Sequence, residues 1–182
     1  MENSIVINPE NIDWQPNYLE CDLIKLLPIR PEDFETLFAV ASDPLIWEQH
    51  PKKERYKREV FMRFFEHAIT HRSAFLIEDK ATHKIIGSSG YYDYKPLESC
   101  ITIGYTFLAR NYWGGKYNFA SKKLLLDYAF QHLEKVYFHI GSDNKRSQLA
   151  ITKIGAKKVR EFITEDKGIE FEYCIEKNNW LN

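Results

Sequence analysis

"ARNYWGGKYNFASKKLLLDYAF", Ala109 to Phe130, sets two adjacent glycines and a lysine between an aromatic run and an amphipathic helix. Leu126, Ala129, Phe130 and Leu133 fall at the i, i+3, i+4, i+7 spacing of one helical face. Just upstream, "SCITIGYTFL" alternates Ile101, Ile103, Tyr105 and Phe107 with Thr102, Gly104 and Thr106, the period of a strand. A strand, a glycine turn and a helix in that order aim the free N–H groups of the first helical turn at whatever occupies the turn. Glycine lets the backbone come close to such a ligand, and Lys116 adds positive charge. The arrangement suits phosphate, although the same residues also suit a plain turn. Neither GxxxxGK[ST] nor GxGxxG occurs, so a nucleoside triphosphate or dinucleotide is not indicated.

On either side the same period analysis extends the plan. Residues 1–18 are polar, carry Pro9 and Pro16, and read as an arm that packs on the domain or stays loose. "CDLIKLLPI" reads as a strand and "RPEDFETLFAVASDP" as a helix, with Pro31 in its first turn and Asp43-Pro44 at its end. Lys52 to Arg72 reads as one charged helix with Val60, Phe61, Phe64, Phe65 and Ala68 on one side. "SAFLIEDK" and "KIIGSSGYYDYK", joined near Ala81–His83, form a hairpin that leads into the strand above. After the quoted helix come a strand "EKVYFHIGS", a helix "DNKRSQLAITKI" stopped by Gly155, and the strands "AKKVREFIT" and "GIEFEYCIEK". The order β-α-α-β-β-β-α-β-α-β-β predicts an α+β domain over 19–182. Its sheet is mostly antiparallel and twisted, with about six or seven strands, about four helices and one β-α-β unit.

Composition narrows the function. The chain has 182 residues, 44% hydrophobic, with a formal net charge of −1. That leaves no global basic field for nucleic acid or an anionic membrane. Cys21, Cys100 and Cys174 are odd in number and lack CxxC spacing, which favours neither a disulfide framework nor a zinc site and points to a reducing interior. "MENSIVINPENIDWQP" has neither the basic start nor the apolar run of a signal peptide. No window approaches the roughly 20 apolar residues that span a bilayer. The reading is a cytoplasmic protein without metal, nucleic-acid or membrane partners.

The stretches "LLPIRPEDFETLFAVASDP", "IIGSSGYYDY", "ITIGYTFLARNYWGGKYNFASKKLLLDYAF" and "DNKRSQLAITKIGAKKVRE" together resemble the GNAT superfamily of acyl-CoA-dependent N-acyltransferases. The resemblance covers about residues 19–176 and is nearest to the Rim-type branch, the ribosomal-protein N-terminal acetyltransferases. It implies acetyl-CoA as co-substrate and direct transfer to a primary amine, on a protein N-terminus or a small molecule; monomer and homodimer are both open, since an exposed final strand could pair between subunits. The family loop Q/R-x-x-G-x-G/A, whose amides hold the CoA pyrophosphate, corresponds to Trp113, Gly114, Gly115, Lys116, Tyr117 and Asn118. Trp113 follows the Rim-type "YWG", whereas Lys116 and Asn118 stand where the family has glycine or alanine.

By the same resemblance the pantetheine lies between Thr102–Leu108 and Val136–Gly141. The backbone of Phe107 and Leu108 holds it and one N–H polarises the thioester. The glutamate common in the Rim-type branch is Thr102 here, and the tyrosine acid of many other members is Ile151. "NKRS" matches the Rim-type NxxS, with Asn144 on the pantetheine and Ser147 as proton donor near the sulfur. Helix capping by Asn144 or Asp143 explains the same residues. Candidate bases are Glu98, Asp93 and Tyr105, or a water chain aided by proximity. His67 and His71 share an i, i+4 spacing without an HExxH frame and read as a helix face. His139 reads as a packed strand residue, and Tyr91, Tyr92 and Tyr94 as lining for the acceptor cleft or as strand alternation. Because two familiar catalytic side chains are missing, a CoA-binding module without efficient catalysis is the alternative.

Overall fold

The computed structural model describes residues 12–165 and 167–180. Seven strands form one sheet in the order β1-β2-β3-β4-β5-β7-β6. They are β1 (Ile24–Pro28), β2 (Ala74–Asp79), β3 (Lys84–Lys95), β4 (Cys100–Leu108), β5 (Lys135–Gly141), β6 (Lys157–Ile163) and β7 (Ile169–Glu176). All neighbours are antiparallel except β4 and β5. The helices are α1 (Phe34–Ala41), α2 (Arg58–Thr70), α3 (Lys116–Ala129), α4 (Lys145–Thr152) and α5 (Lys177–Trp180). This is the α+β plan expected from the sequence, with one short terminal helix added.

Both faces of the sheet are covered, and strand alternation shows how. In β2, Phe75 and Ile77 join Leu125, Leu126 and Ala129 of α3, while Ala74 and Leu76 join Phe34, Leu37, Phe61 and Phe65 of α1 and α2. The arm expected over 1–18 lies outside the described residues as far as residue 11. The part that is described packs on the α3 side: the Trp14 ring lies 5.1 Å from that of Tyr91, and Tyr128 Oη donates to the Asp13 carbonyl at 2.5 Å.

Two expectations change. The helix expected over Lys52–Arg72 is a single 3-10 turn, Lys53–Tyr56, followed by α2, with Lys57 extended between them. Arg55 lies over the rings of Trp47 and Phe64, which holds the first turn off the axis of α2. The strict alternation expected along β4 breaks at Tyr105, whose φ is +53°. Ile101 and Ile103 therefore face the α3 core, while Tyr105 and Phe107 turn to the α2 core.

Candidate active site

β4 and β5 pair for only three rungs, Cys100 to Thr102 against Lys135 to Tyr137, and then diverge. The kink at Tyr105 steers β4 away. The fork that results is the floor of a cleft of about 1080 Å³, lined by Ile103 to Thr106 on one prong and Phe138 to Gly141 on the other. Asn144, Ser147 and Ile151 of the α4 region, Asn118 and Lys122 of α3, and His50, Arg55 and His67 of the α2 side complete the lining.

The α3 N-terminus, marked by Asn118 in the lining, borders one end. Gly114 has φ +70°, a left-handed conformation that favours glycine. Gly115 caps α3 without a side-chain hydrogen bond, at φ −110° and ψ −161°, and a Cβ at either glycine would meet nothing within 4 Å. Lys116 is exposed beside them. Tyr117 turns away, its hydroxyl 3.3 Å from Asp79 Oδ1. Trp113 donates through Nε1 to the Leu108 carbonyl at 2.8 Å, and the Arg146 guanidinium lies 3.8 Å from the Trp113 ring centre. Arg146, absent from the sequence reading, thus brings a second cation to the turn.

At the fork itself sits Lys122, to which the sequence reading gave no role. The residue is 4% exposed. Its Nζ donates to Thr106 Oγ1 at 2.5 Å on β4 and to Ser89 Oγ at 3.1 Å on β3, and lies 5.9 Å from the Phe138 ring centre on β5. Neither hydrogen-bond partner is an anion. Burial drags the amine down to about 7, so near neutrality it is divided between the free base and the ammonium.

One wall of the cleft carries a chain of polar groups. Tyr92 Oη is 2.9 Å from His139 Nδ1, His139 Nε2 is 3.1 Å from Glu172 Oε1, and Arg160 Nη2 donates to the same oxygen at 2.8 Å. Burial alone would raise the Glu172 carboxyl, but the hydrogen bonds from Arg160 and His139 outweigh it and hold it below its ordinary range. An ionised Glu172 accepts from His139 Nε2–H, leaving Nδ1 to accept from Tyr92. Gly104 makes this possible: a Cβ there would lie 2.5 Å from Tyr92 Cε1, so the ring crosses β4 only over a glycine. Tyr91 instead points into the core with its hydroxyl on the Leu125 carbonyl at 2.6 Å, and Tyr94 packs on Trp14.

The other sequence candidates separate by position. Ser147 lines the cleft, and its N–H donates to Asn144 Oδ1 at 3.2 Å, so the Asn144 side chain caps α4 while also lining the cleft. Phe107 and Leu108 are buried beyond the lining, paired with Ser88 and Gly87 of β3. Glu98 is exposed on the turn before β4, and Asp93 pairs with Lys95 at 3.3 Å; neither lines the cleft. Tyr105 does line it, 2.6 Å from His67 Nδ1. Burial pushes its phenol up to about 12, so at neutral pH it holds its proton. His67 and His71 stack at 4.1 Å, and no group of metal-ligating side chains occurs among the described residues. No helix among them is long and apolar enough to cross a membrane.

Residues 24–157 match the acetyltransferase (GNAT) domain family, and the chain belongs to that family. No curated protein matches it by sequence. A GNAT-family acetyltransferase from Bacillus anthracis superposes with a TM-score of 0.73 at 17% identity, covering 88% of this chain and 98% of that one. For spermidine N-acetyltransferase from Vibrio cholerae, solved with CoA and spermine, the values are 0.69, 17%, 89% and 100%. For Mycobacterium smegmatis RimJ, solved with CoA-disulfide, they are 0.67, 16%, 87% and 84%. At such identities the likeness is one of fold.

Proposed function

We propose that the chain is an acetyl-CoA-dependent N-acetyltransferase of the Rim-type branch, transferring directly to a primary amine in a ternary complex. The observation that carries this is the fork between β4 and β5, which leads from an open helix N-terminus to a buried amine. The turn fits a pyrophosphate on physical grounds. The backbone angles of Gly115 are open to any residue and its missing Cβ faces open space, so the fold does not require glycine there. Close approach of an anion does, and Lys116 and Arg146 add charge beside it. The solved CoA complexes of the Vibrio and Mycobacterium proteins support the same reading.

When bound, acetyl-CoA supplies a thioester whose carbonyl carbon takes the amine and whose sulfur leaves. The unpaired edge of β4 from Ile103 onward, with Phe107 and Leu108 at its far end, offers backbone groups to the pantetheine and the thioester carbonyl. Asn144 holds the pantetheine from the α4 side. Lys122 as free base accepts a proton from the acceptor ammonium, with the Thr106 hydroxyl as relay. The N–C bond then forms and the C–S bond breaks. Lys122 returns its proton through Ser147 to the thiolate, and the second proton of the amine nitrogen leaves to solvent.

The three free cysteines suit a reducing cytoplasm, and residues 19–182 act as one domain behind the N-terminal arm. The test is CoA release from acetyl-CoA, followed with a thiol reagent, across a panel of amines. Amine-dependent release is expected. CoA binding without release for any amine would favour the alternative, a binding module that has lost catalysis.

A further inference from the structure

Arg55 and His50, on the cleft wall in front of α2, pose a hydrogen-bonding problem that the chain does not solve. The Lys52 N–H donates to His50 Nδ1 at 2.9 Å, and Arg55 Nη1 lies 3.2 Å from His50 Nε2. A neutral imidazole has one accepting nitrogen, and both of its neighbours here are pure donors. Burial, then the charges of Arg55 and Lys52, push His50 down to about 3, so the ring is neutral under any ordinary condition. Whichever nitrogen carries the hydrogen, one of the two donors is left without an acceptor, and with Nδ1 accepting from the backbone amide it is Arg55. Two N–H groups, from His50 and Arg55, then converge with nothing between them to accept.

The charge of Arg55 is equally uncompensated. Its guanidinium lies 4.7 Å from the Phe64 ring centre and 5.5 Å from that of Trp47, which fix its plane without neutralising it. Burial draws it down to about 10, so it stays positive at neutral pH. Neighbouring Glu54 is engaged with Lys57 at 2.5 Å. Among the described residues Arg55 makes no ion pair; Glu170 and the Tyr105 and Tyr92 phenols act on it only through space. Lys52 and Arg63 line the same wall, and Glu165 and Glu170 line the cleft with them. Water could satisfy the two donors but not the charge. A carboxylate satisfies both, because its oxygens match the guanidinium fork.

We propose that the acceptor is a small amine bearing a carboxylate, of the amino-acid class, and that Arg55 and His50 bind the carboxylate while the amine points toward the fork. This rests on the acetyltransferase reading and gives it a substrate class. A polyamine would bring positive charge against Arg55, and a peptide N-terminus would leave the guanidinium without its anion.

The experiment compares free amino acids with their carboxamides and with spermidine as acceptors, in the wild type and in Arg55→Met and Arg55→Lys. The expected result is a free amino acid preferred over its own carboxamide by roughly 10- to 100-fold in kcat/KM. Arg55→Met removes the preference, Arg55→Lys restores part of it, and the KM for acetyl-CoA stays put. Carboxamides or spermidine used as well as, or better than, any free acid overturn the proposal while leaving the acetyltransferase intact. A second readout needs no turnover: the Arg55 Nε–H resonance should shift on adding the amino acids but not their carboxamides. If acetyl-CoA fails to bind, the acetyltransferase reading falls, and this resonance still decides the carboxylate site. No shift with any amino acid overturns it.

Discussion

The Gly114–Gly115 turn and Lys122 stand at the start and the middle of one helix, and they reach function by opposite means. At the turn the chain offers donors on open backbone, with nothing of its own packed against them. Such a site costs the fold little, because solvent satisfies it when no ligand does. At the fork the chain buries an amine whose hydrogen-bond partners are two hydroxyls. That costs several kcal/mol relative to an apolar side chain. The turn is a local device of backbone geometry. The fork is held in place by the core around it, and the buried amine there is the group we propose moves the proton.

The largest expected effect breaks the fork. Lys122→Met keeps the volume and removes the buried amine, so kcat should fall about 100-fold while the melting temperature rises. The pH dependence carries a sign. The folded amine titrates at about 7 and the unfolded one at 10.5. Between these values the unfolded chain holds the extra proton, so wild-type stability climbs as pH rises from about 7 toward 10. Denaturant titrations at several pH values should find that climb, roughly 3–5 kcal/mol at most, absent from the Met variant. A purely structural lysine would give the stability change without the loss of kcat.

A smaller effect comes from the wall that joins the two prongs. Gly104→Ala drives a methyl into the Tyr92 ring and should cost about 1–3 kcal/mol in chemical denaturation. The Tyr92–His139 hydrogen bond should be lost with it. The smallest belongs to the rim. Tyr105→Phe removes one hydrogen bond to a well-exposed His67 and should shift stability by about 0.5–1.5 kcal/mol, with kcat/KM changed only a few-fold. A loss comparable to that of Lys122→Met would make Tyr105, rather than Lys122, the main proton carrier.

The same contrast explains what the sequence disclosed. The hairpin, the order of strands and helices and the glycine turn are set by neighbouring residues, and period and turn chemistry expose them. Lys122 was within reach: counting back four residues from Leu126 puts it on the apolar stripe, whereas Lys123 pairs with Asp127 at the surface at 2.6 Å. The kink at Tyr105 was not, because alternation alone does not reveal a bulge. Nor was the Tyr92–His139–Glu172 chain, whose members come from three strands, or the approach of Arg146 to Trp113. Glu98, named among the candidate bases, sits on the turn before β4 and does not line the cleft, which only the assembled fold shows.

On the proposed function, the α3 turn holds the pyrophosphate of acetyl-CoA and thereby loads the fork. Gly115→Glu tests it most directly, since its side chain would enter open space and leave the fold undisturbed. Calorimetric titration with acetyl-CoA, with ATP as control, should show binding by the wild type, no response to ATP, and a loss of at least about 100-fold in the variant, or ~2.7 kcal/mol, at an unchanged melting temperature. Equal affinity in the two proteins would rule out a pyrophosphate site here and return the glycines to a plain turn.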